Sequence, residues 1–397
     1  MGRRWRRFSF ALLLGILVCL ADIMPRHQAA AGEFKGTKHV LVLYSFNTIL
    51  PVQTEIDQGL RAAFKTGSRY PVDINIEYLD LGRFEEAAYA DGLLSLLSRK
   101  YAQRHLDVII PVFDPALKFL LKHGDTIFPG VPVVFAAEFQ PFLRNLVLKP
   151  HMTGAYTELD FAANLQLALA LKPQTRQVIV VGGSATLDRV FLSWAREAFA
   201  PYSRQIEFTY LTDLSLEEFQ ERVAHLPPHA IIFYVSIFHD AKGQEILPRD
   251  ALNLVAKAAN APIYGLWETL LGEGIVGGSL AVPHEQGRLA GELAARVLNG
   301  EKPGQLPPVS ARNRLIFDWR QIYCWGISED RLPPGSMVRY RELSLWEAYR
   351  GWIIGFLALL GLQSALIGAL LINRARRRRA EQGLAERLRF EEILSGL

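Results

Sequence analysis

The sequence predicts an α/β protein of two lobes, each built on an open parallel sheet, followed by one membrane-spanning helix and a short cytoplasmic helix. Three observations carry this. From His39 onward, apolar runs of the kind that parallel strands buried on both faces require alternate with segments of helical periodicity. The series falls into two halves that open alike, His39-Val-Leu-Val-Leu-Tyr-Ser45 and Gln177-Val-Ile-Val-Val-Gly-Gly-Ser184, a weak internal repeat. Gly351–Ile372 is uncharged over 22 residues, which at about 1.5 Å rise per residue crosses a hydrocarbon core of roughly 30 Å.

Residues 1–31 combine a basic start, an apolar run from Phe8 to Ala21 and an Ala29-x-Ala31 pattern suited to cleavage before Gly32. They read as a signal peptide or an N-terminal anchor. Residues 37–330 then form the two-lobed domain, with lobe 1 at about 37–150 plus 282–325 and lobe 2 at about 151–281. Lobe 1 strands are expected at Val40–Tyr44, Val72–Leu79, Asp107–Val112 and Val131–Ala136, with helices near Pro51–Lys65, Glu85–Arg104 and Pro115–His123. Asp114-Pro115 has the form of an N-cap followed by the proline favoured at the first helical position.

Lobe 2 opens with a helix at Phe161–Leu171. Strands follow at Gln177–Val181, Ile206–Leu211, Ala230–Val235, Ile263–Leu266 and Ile275–Leu280, separated by helices near Leu187–Phe199, Leu216–His225 and Arg249–Asn260. A helix at Glu285–Leu298 and a strand at Leu315–Trp319 are expected to return the chain to the first lobe, so that several crossings form a hinge with a cleft. Asn299–Arg314 reads as connection, and 331–350 as a juxtamembrane linker.

The span at 351–373 is followed by five arginines in six residues, Arg374 and Arg376–Arg379, and preceded by Trp346, Tyr349 and Trp352. This asymmetry places the earlier residues outside the cytoplasm and residues 374–397 inside, as a cytoplasmic signalling helix in the inner membrane of a bacterium. Gly351-x3-Gly355, Ala358, Ala365 and Ala369 set small residues along the span and Gln363 adds a polar one, which predicts a homodimer through this helix.

The formal net charge is +4, yet nine arginines flank the two apolar segments. Without them 35 basic side chains face 40 acidic ones, so the basicity is topological and argues against nucleic-acid binding. Of the two cysteines, Cys19 lies in the N-terminal apolar run and Cys324 sits between aromatics, where a small buried apolar role is expected. His239-Asp240, His284-Glu285 and His225-x3-His229 lack metal-ligand spacing, and no GxSxG elbow surrounds Ser45 or Ser184. No metal, cofactor or catalytic residue is therefore expected, although an exported α/β enzyme remains an opposing class.

Ligands of open parallel sheets bind outside the carboxyl ends of the strands. That rule selects Ser45, Phe46, Phe113, Asp114, Glu138 and Phe139 in the first lobe, and Ser184, Ser236, Phe238, Trp267 and Glu268 in the second. Helices starting after Ser45 and Ser184 would offer N–H groups to an anion. Asp114, Glu138 and Glu268 supply carboxylates and none of the selected residues is cationic, so the expected ligand carries an amine. With a carboxylate at the helix ends and an apolar part on the rings, it would be amino-acid-like.

Val40-Leu-Val-Leu-Tyr-Ser45, Phe128-Pro-Gly-Val-Pro-Val-Val-Phe135, Pro262-Ile-Tyr-Gly-Leu-Trp-Glu268, Gly272-Glu-Gly-Ile-Val-Gly-Gly278 and Phe317-Asp-Trp-Arg-Gln321 together resemble the periplasmic sensor region of membrane histidine kinases related to ABC-transporter substrate-binding proteins. Trp325-Gly-Ile-Ser328 and Leu332-Pro-Pro-Gly335 are similar to the same group. The resemblance implies a type-I periplasmic-binding fold, a small organic ligand and a cytoplasmic kinase module. No histidine follows His284, so this polypeptide is expected to lack the phosphoacceptor and to signal to a kinase module in cis or in trans. A substrate-binding component of an ABC transporter is the alternative, against which the span at 351–373 speaks.

Overall fold

Apolar runs flanked by helices settle into two open sheets. The computed structural model describes residues 36–47, 50–84, 86–144, 146–341 and 345–395; the expected signal peptide lies outside them. In chain order the first unit is β1 (Lys38–Tyr44), α1 (Pro51–Gly67), β2 (Val72–Tyr78), α2 (Ala87–Tyr101), β3 (Val108–Val112), α3 (Asp114–Ile127), β4 (Val133–Phe139) and β5 (Met152–Thr157). The second is α4 (Phe161–Leu171), β6 (Gln177–Gly182), α5 (Thr186–Phe199), β7 (Glu207–Leu211), α6 (Leu216–Ala224), β8 (Ala230–Ser236), α7 (Pro248–Ala258), β9 (Ile263–Tyr264) and β10 (Gly277–Leu280). After it come α8 (Pro283–Leu298), β11 (Val309–Ala311), β12 (Arg314–Asp318), β13 (Met337–Arg339) and α9 (Leu345–Ser395).

The first sheet has the order β11-β5-β4-β3-β1-β2 and the second β7-β6-β8-β9, with every strand pair parallel. The internal repeat is visible in this order. In each lobe the opening strand sits between the next two, β2-β1-β3 and β7-β6-β8. The central strands β1, β3, β4 and β8 are buried nearly throughout, which is why their sequences are continuous apolar runs.

Several boundaries differ from the sequence reading. The chain leaves the first lobe after Thr157 rather than at residue 150, because β5 pairs with β4. Arg314–Asp318 does not return to the first lobe: β12 runs antiparallel to β10 and parallel to β13 in a three-stranded sheet on the second lobe's side. The return is made by α8, the helix expected to make it, and by β11 in place of the expected strand; β11 lies within the presumed connection and pairs with β5. Gly59 on α1 and Gly287 on α8 let the two helices touch: a Cβ at either would lie about 2 Å from a backbone oxygen of the other helix, 2.1 Å from His284 O and 2.0 Å from Ile56 O.

The presumed linker 331–350 contains β13 and the start of α9, and the segments expected to span a membrane and to lie in the cytoplasm form one uninterrupted helix, α9. Among the described residues this is the one helix long and apolar enough to cross a membrane, and its apolar window is wholly exposed. Cys324 is exposed, contrary to the buried role expected for it, because the short turn Trp319–Cys324 buries only Ile322.

Candidate functional site

A cleft of about 220 Å³ opens between the two sheets. Its first-lobe wall comes from Phe46 after β1, from Phe113, Asp114 and Lys118 at the start of α3, and from Phe139 at the end of β4. Its second-lobe wall comes from Phe191 and Trp194 on α5, Ser236 and Phe238 after β8, Arg249 on α7 and Trp267 after β9.

Seven aromatic rings form a connected box. Phe46 meets Phe113 at 5.8 Å and stacks on Phe238 across the cleft at 6.4 Å between centroids. Phe139 stacks on Phe113 at 6.1 Å and reaches Phe191 at 5.2 Å, Trp194 at 5.7 Å and Trp267 at 6.1 Å, all three edge-on. These separations are within the range of favourable offset and edge-to-face pairs. Phe139 therefore joins four rings from both lobes.

The first-lobe rings are aimed by unusual backbone. Phe113 has φ 68° and ψ 158°, and Ala137 has φ 56°; both are conformations that L residues rarely adopt and that concentrate at functional sites. The β4–β5 register shifts between Phe135 and Glu138. This bulge interrupts the alternation of β4, and Phe139 contributes its ring to the cleft while Glu138 is sealed off.

The second-lobe rings are positioned by a carboxylate that the sequence reading missed. Asp188, in the first turn of α5, is fully buried and accepts hydrogen bonds from Ser236 Oγ, Phe238 N at 2.9 Å, His239 N at 3.4 Å and Ala185 N at 3.2 Å. It ties the helix start to the loop that carries Phe238. Burial pushes its pKa up to about 6, against the opposing pull of these four donors. At the start of α5 its carboxylate accepts from the N–H of Ala185, the residue before the helix.

The two serines are structural. Ser45 is buried; its hydroxyl donates to Val112 O at 2.6 Å and accepts from Ala116 N at 2.9 Å, capping α3 from the neighbouring strand. Ser184 donates to Asp240 O at 2.7 Å. Neither lines the cleft. Asp114 is not the cap of its own helix, since Ser45 fills that place; Asp114 Oδ1 instead accepts from Phe139 N at 3.4 Å and its carboxyl faces the cleft.

The expected set of three cleft carboxylates reduces to one. Glu138 is fully buried, and its oxygens receive no hydrogen bond from an N–H among the described residues. Burial first, and the neighbouring Asp114 carboxyl second, hold its pKa well above the usual carboxylate range, which favours its protonated form. Glu268 lies outside the cleft lining and pairs with Arg339 at 2.6 Å. Conversely, Lys118 and Arg249 do line the cleft, contrary to the expectation that no cation would. Phe191 and Trp194 were missed as well; the available signal was a pair of aromatics three residues apart on one helix.

Of the eleven residues selected from strand ends, Phe46, Phe113, Asp114, Phe139, Ser236, Phe238 and Trp267 line the cleft; Ser45, Glu138, Ser184 and Glu268 do not. Among the described residues no group of three His, Cys, Asp or Glu is placed to hold a metal ion.

Three solved structures share this architecture. A Streptococcus pneumonia ABC domain in complex with L-Trp is 16% identical with a TM-score of 0.56, covering 76% of this chain and 100% of its own. A ligand-free, open substrate-binding protein with adhesive properties from Clostridium difficile is 14% identical with a TM-score of 0.57, covering 77% and 100%. A conserved domain protein from Vibrio cholerae is 18% identical with a TM-score of 0.56, covering 76% and 99%. At such identities the likeness is one of fold. No curated protein matches the sequence. The family described as ABC transporter substrate binding protein matches residues 55–318. The chain thus carries the two-lobed periplasmic-binding fold and belongs to the ABC transporter substrate-binding protein family.

Proposed function

We propose that this chain is a membrane-anchored extracytoplasmic sensor that binds a small organic ligand with an aromatic body between its lobes and passes cleft closure to a cytoplasmic kinase module. The ring box carries the ligand class. A poorly hydrated cleft lined by seven aromatics recognises a flat apolar body, and the few polar groups set its orientation. With Asp114 and Lys118 on the first-lobe wall and Arg249 on the second, an amino-acid-like molecule fits: ammonium toward Asp114, carboxylate toward the cations. This keeps the expected ligand class while changing the residues that hold it. The L-Trp complex of the Streptococcus pneumonia domain is consistent with such a ligand.

Calorimetry on the exported segment tests this against L-tryptophan, other amino acids, aromatic carboxylates and sugars. The expected result is binding of the aromatic amino acids, weakened at least tenfold by Trp194→Ala; binding of a sugar alone would sink it.

A delivery component of an ABC transporter is the second reading, favoured by the family. The sensor reading rests on α9, which continues unbroken through the arginine cluster. With a cysteine at Leu384 and the full chain in membranes, a sensor should change its cross-linking between copies when the ligand found by calorimetry is added. Tight binding with unchanged cross-linking would leave the delivery reading.

A further inference from the structure

We infer that Glu268, Arg339, Tyr340 and Arg320 form a latch that couples the cleft wall to the membrane helix. The inference rests on the sensor reading and assigns its transmission element.

The chain geometry makes the connection short. Trp267 contributes its ring to the cleft, and Thr269 and Leu270 line it too. Glu268, between them, turns its carboxylate outward to Arg339 Nη1 at 2.6 Å. Arg339 ends β13, which is held to the second lobe through β12, with Asp318 opposite Arg339. Next in sequence, Tyr340 donates its hydroxyl to Leu271 O at 3.3 Å. Its ring carries the Arg320 guanidinium at 4.4 Å, and Arg320 itself donates to Gly272 O at 3.3 Å and pairs with buried Asp318 at 2.7 Å. Tyr340 has φ 58°, so the chain turns sharply here before α9 begins at Leu345.

One five-residue segment, Glu268–Gly272, thus meets the cleft on one side and the membrane-proximal strand on the other. A single exposed ion pair is worth little; three contacts converging on residues 268–272, from Arg339, Tyr340 and Arg320, hold two segments in one arrangement. A movement of Trp267 on cleft closure would displace Arg339 and Tyr340, and with them the first turn of α9.

The test uses the full chain in lipid nanodiscs and needs no ligand. Arg83 of the first lobe meets Glu245 of the second at 3.3 Å across the cleft lip, so Arg83→Cys and Glu245→Cys, in a Cys324→Ser background that removes the exposed native thiol and joined by a short bismaleimide, hold the lips together. Hydrogen exchange of residues 337–341 is compared before and after joining. The expected result is a change of at least threefold, lost in Glu268→Gln and in Arg339→Gln, and restored when Glu268→Arg is combined with Arg339→Glu. No change in the parent protein, or an equal change in the single variants, would overturn the latch. A spin label at Leu384 separates the two ideas. Exchange at 337–341 that responds while the label does not would uphold the latch and defeat the sensor reading; a responding label with unresponsive 337–341 would do the reverse.

Discussion

The two walls of the cleft present the same chemistry and hold it by opposite means. On the first lobe Phe113 and Phe139 are aimed by backbone in rare conformations, with φ 68° at Phe113 and 56° at Ala137. On the second, Phe191 and Trp194 stand on an ordinary helix, α5, and Asp188 ties the Phe238 loop to the start of that helix, accepting from Ser236, Phe238 and His239 on one side and Ala185 on the other. Strain is tolerated only where surrounding packing over-determines it, and the first lobe has the larger sheet, of six strands against four. The smaller lobe relies on a buried polar network, which specifies a geometry only while every member is satisfied.

That contrast predicts its most costly failure in the second lobe. Asp188→Ala leaves four donors without their acceptor, the buried Ser236 hydroxyl and the half-buried N–H groups of Ala185, Phe238 and His239, and an unsatisfied buried donor costs about 1–3 kcal/mol before relaxation. A loss of about 4 kcal/mol is expected by urea denaturation of the exported domain, with ligand binding lost because Phe238 is released. A loss below about 1 kcal/mol would show that the network does not hold the loop. Phe139→Ala should come next, at about 3 kcal/mol, as buried Phe-to-Ala changes cost roughly 3–5 kcal/mol and this ring borders an open cleft. Its effect on ligand affinity should exceed that of any other single ring, since it alone touches four others in both lobes.

The fold was legible where burial dictates composition. Runs such as Val40-Leu-Val-Leu-Tyr44 and Ala230-Ile-Ile-Phe-Tyr-Val235 are apolar because both faces of their strands are covered. Met152-Thr-Gly-Ala-Tyr-Thr157 and Val309-Ser-Ala311 escaped notice because small and hydroxyl residues dominate them, so β5 and β11 appear only in the pairing. The aromatic strand ends were legible for the same reason as the strands. Phe191 and Trp194 were not, because which face of a helix overlooks a cleft is a tertiary fact. Charge was the least legible: Glu138 and Glu268 read alike in sequence, and burial holds the pKa of one well above the usual range while Arg339 pairs with the other.

A smaller effect separates strain from network more finely. At Phe113, Phe113→Gly should be more stable than Phe113→Ala by about 1 kcal/mol, because glycine adopts this backbone freely and alanine does not. At Phe191 on α5 the order should invert by a similar amount, since glycine within a helix is about 1 kcal/mol worse than alanine. Thermal unfolding of the four variants reads both differences, and the same order at both positions would refute the division of labour between the lobes.

The smallest effect concerns the two buried carboxyls. Glu138 and Asp188 both bind their protons more tightly folded than unfolded, Glu138 through burial and Asp114, Asp188 through burial opposed by its four donors, to about 6. Their contribution is therefore fully present below the unfolded carboxyl range, near pH 4. As pH rises the unfolded chain releases protons that the native state keeps, so stability declines from about pH 4 to pH 6 for Asp188 and further upward for Glu138. Several surface carboxyls act oppositely: Asp107 is held low by Lys38 and the His39 N–H despite its burial, and Glu285 by Arg288. These lose stability as pH falls below the ordinary carboxyl range. The two sets act in opposite directions, and Glu138 is the carboxyl held well above its ordinary value beyond the Asp188 range near pH 6. Glu138→Gln replaces the protonated acid with a neutral isostere and should change stability by under about 1 kcal/mol at pH 5. It should also flatten the parent protein's decline between pH 6 and 8, measured by urea denaturation across that range. A parallel pair of curves for parent and variant would mean that Glu138 is ionised in the native state, and that the first-lobe wall, like the second, carries a buried charge.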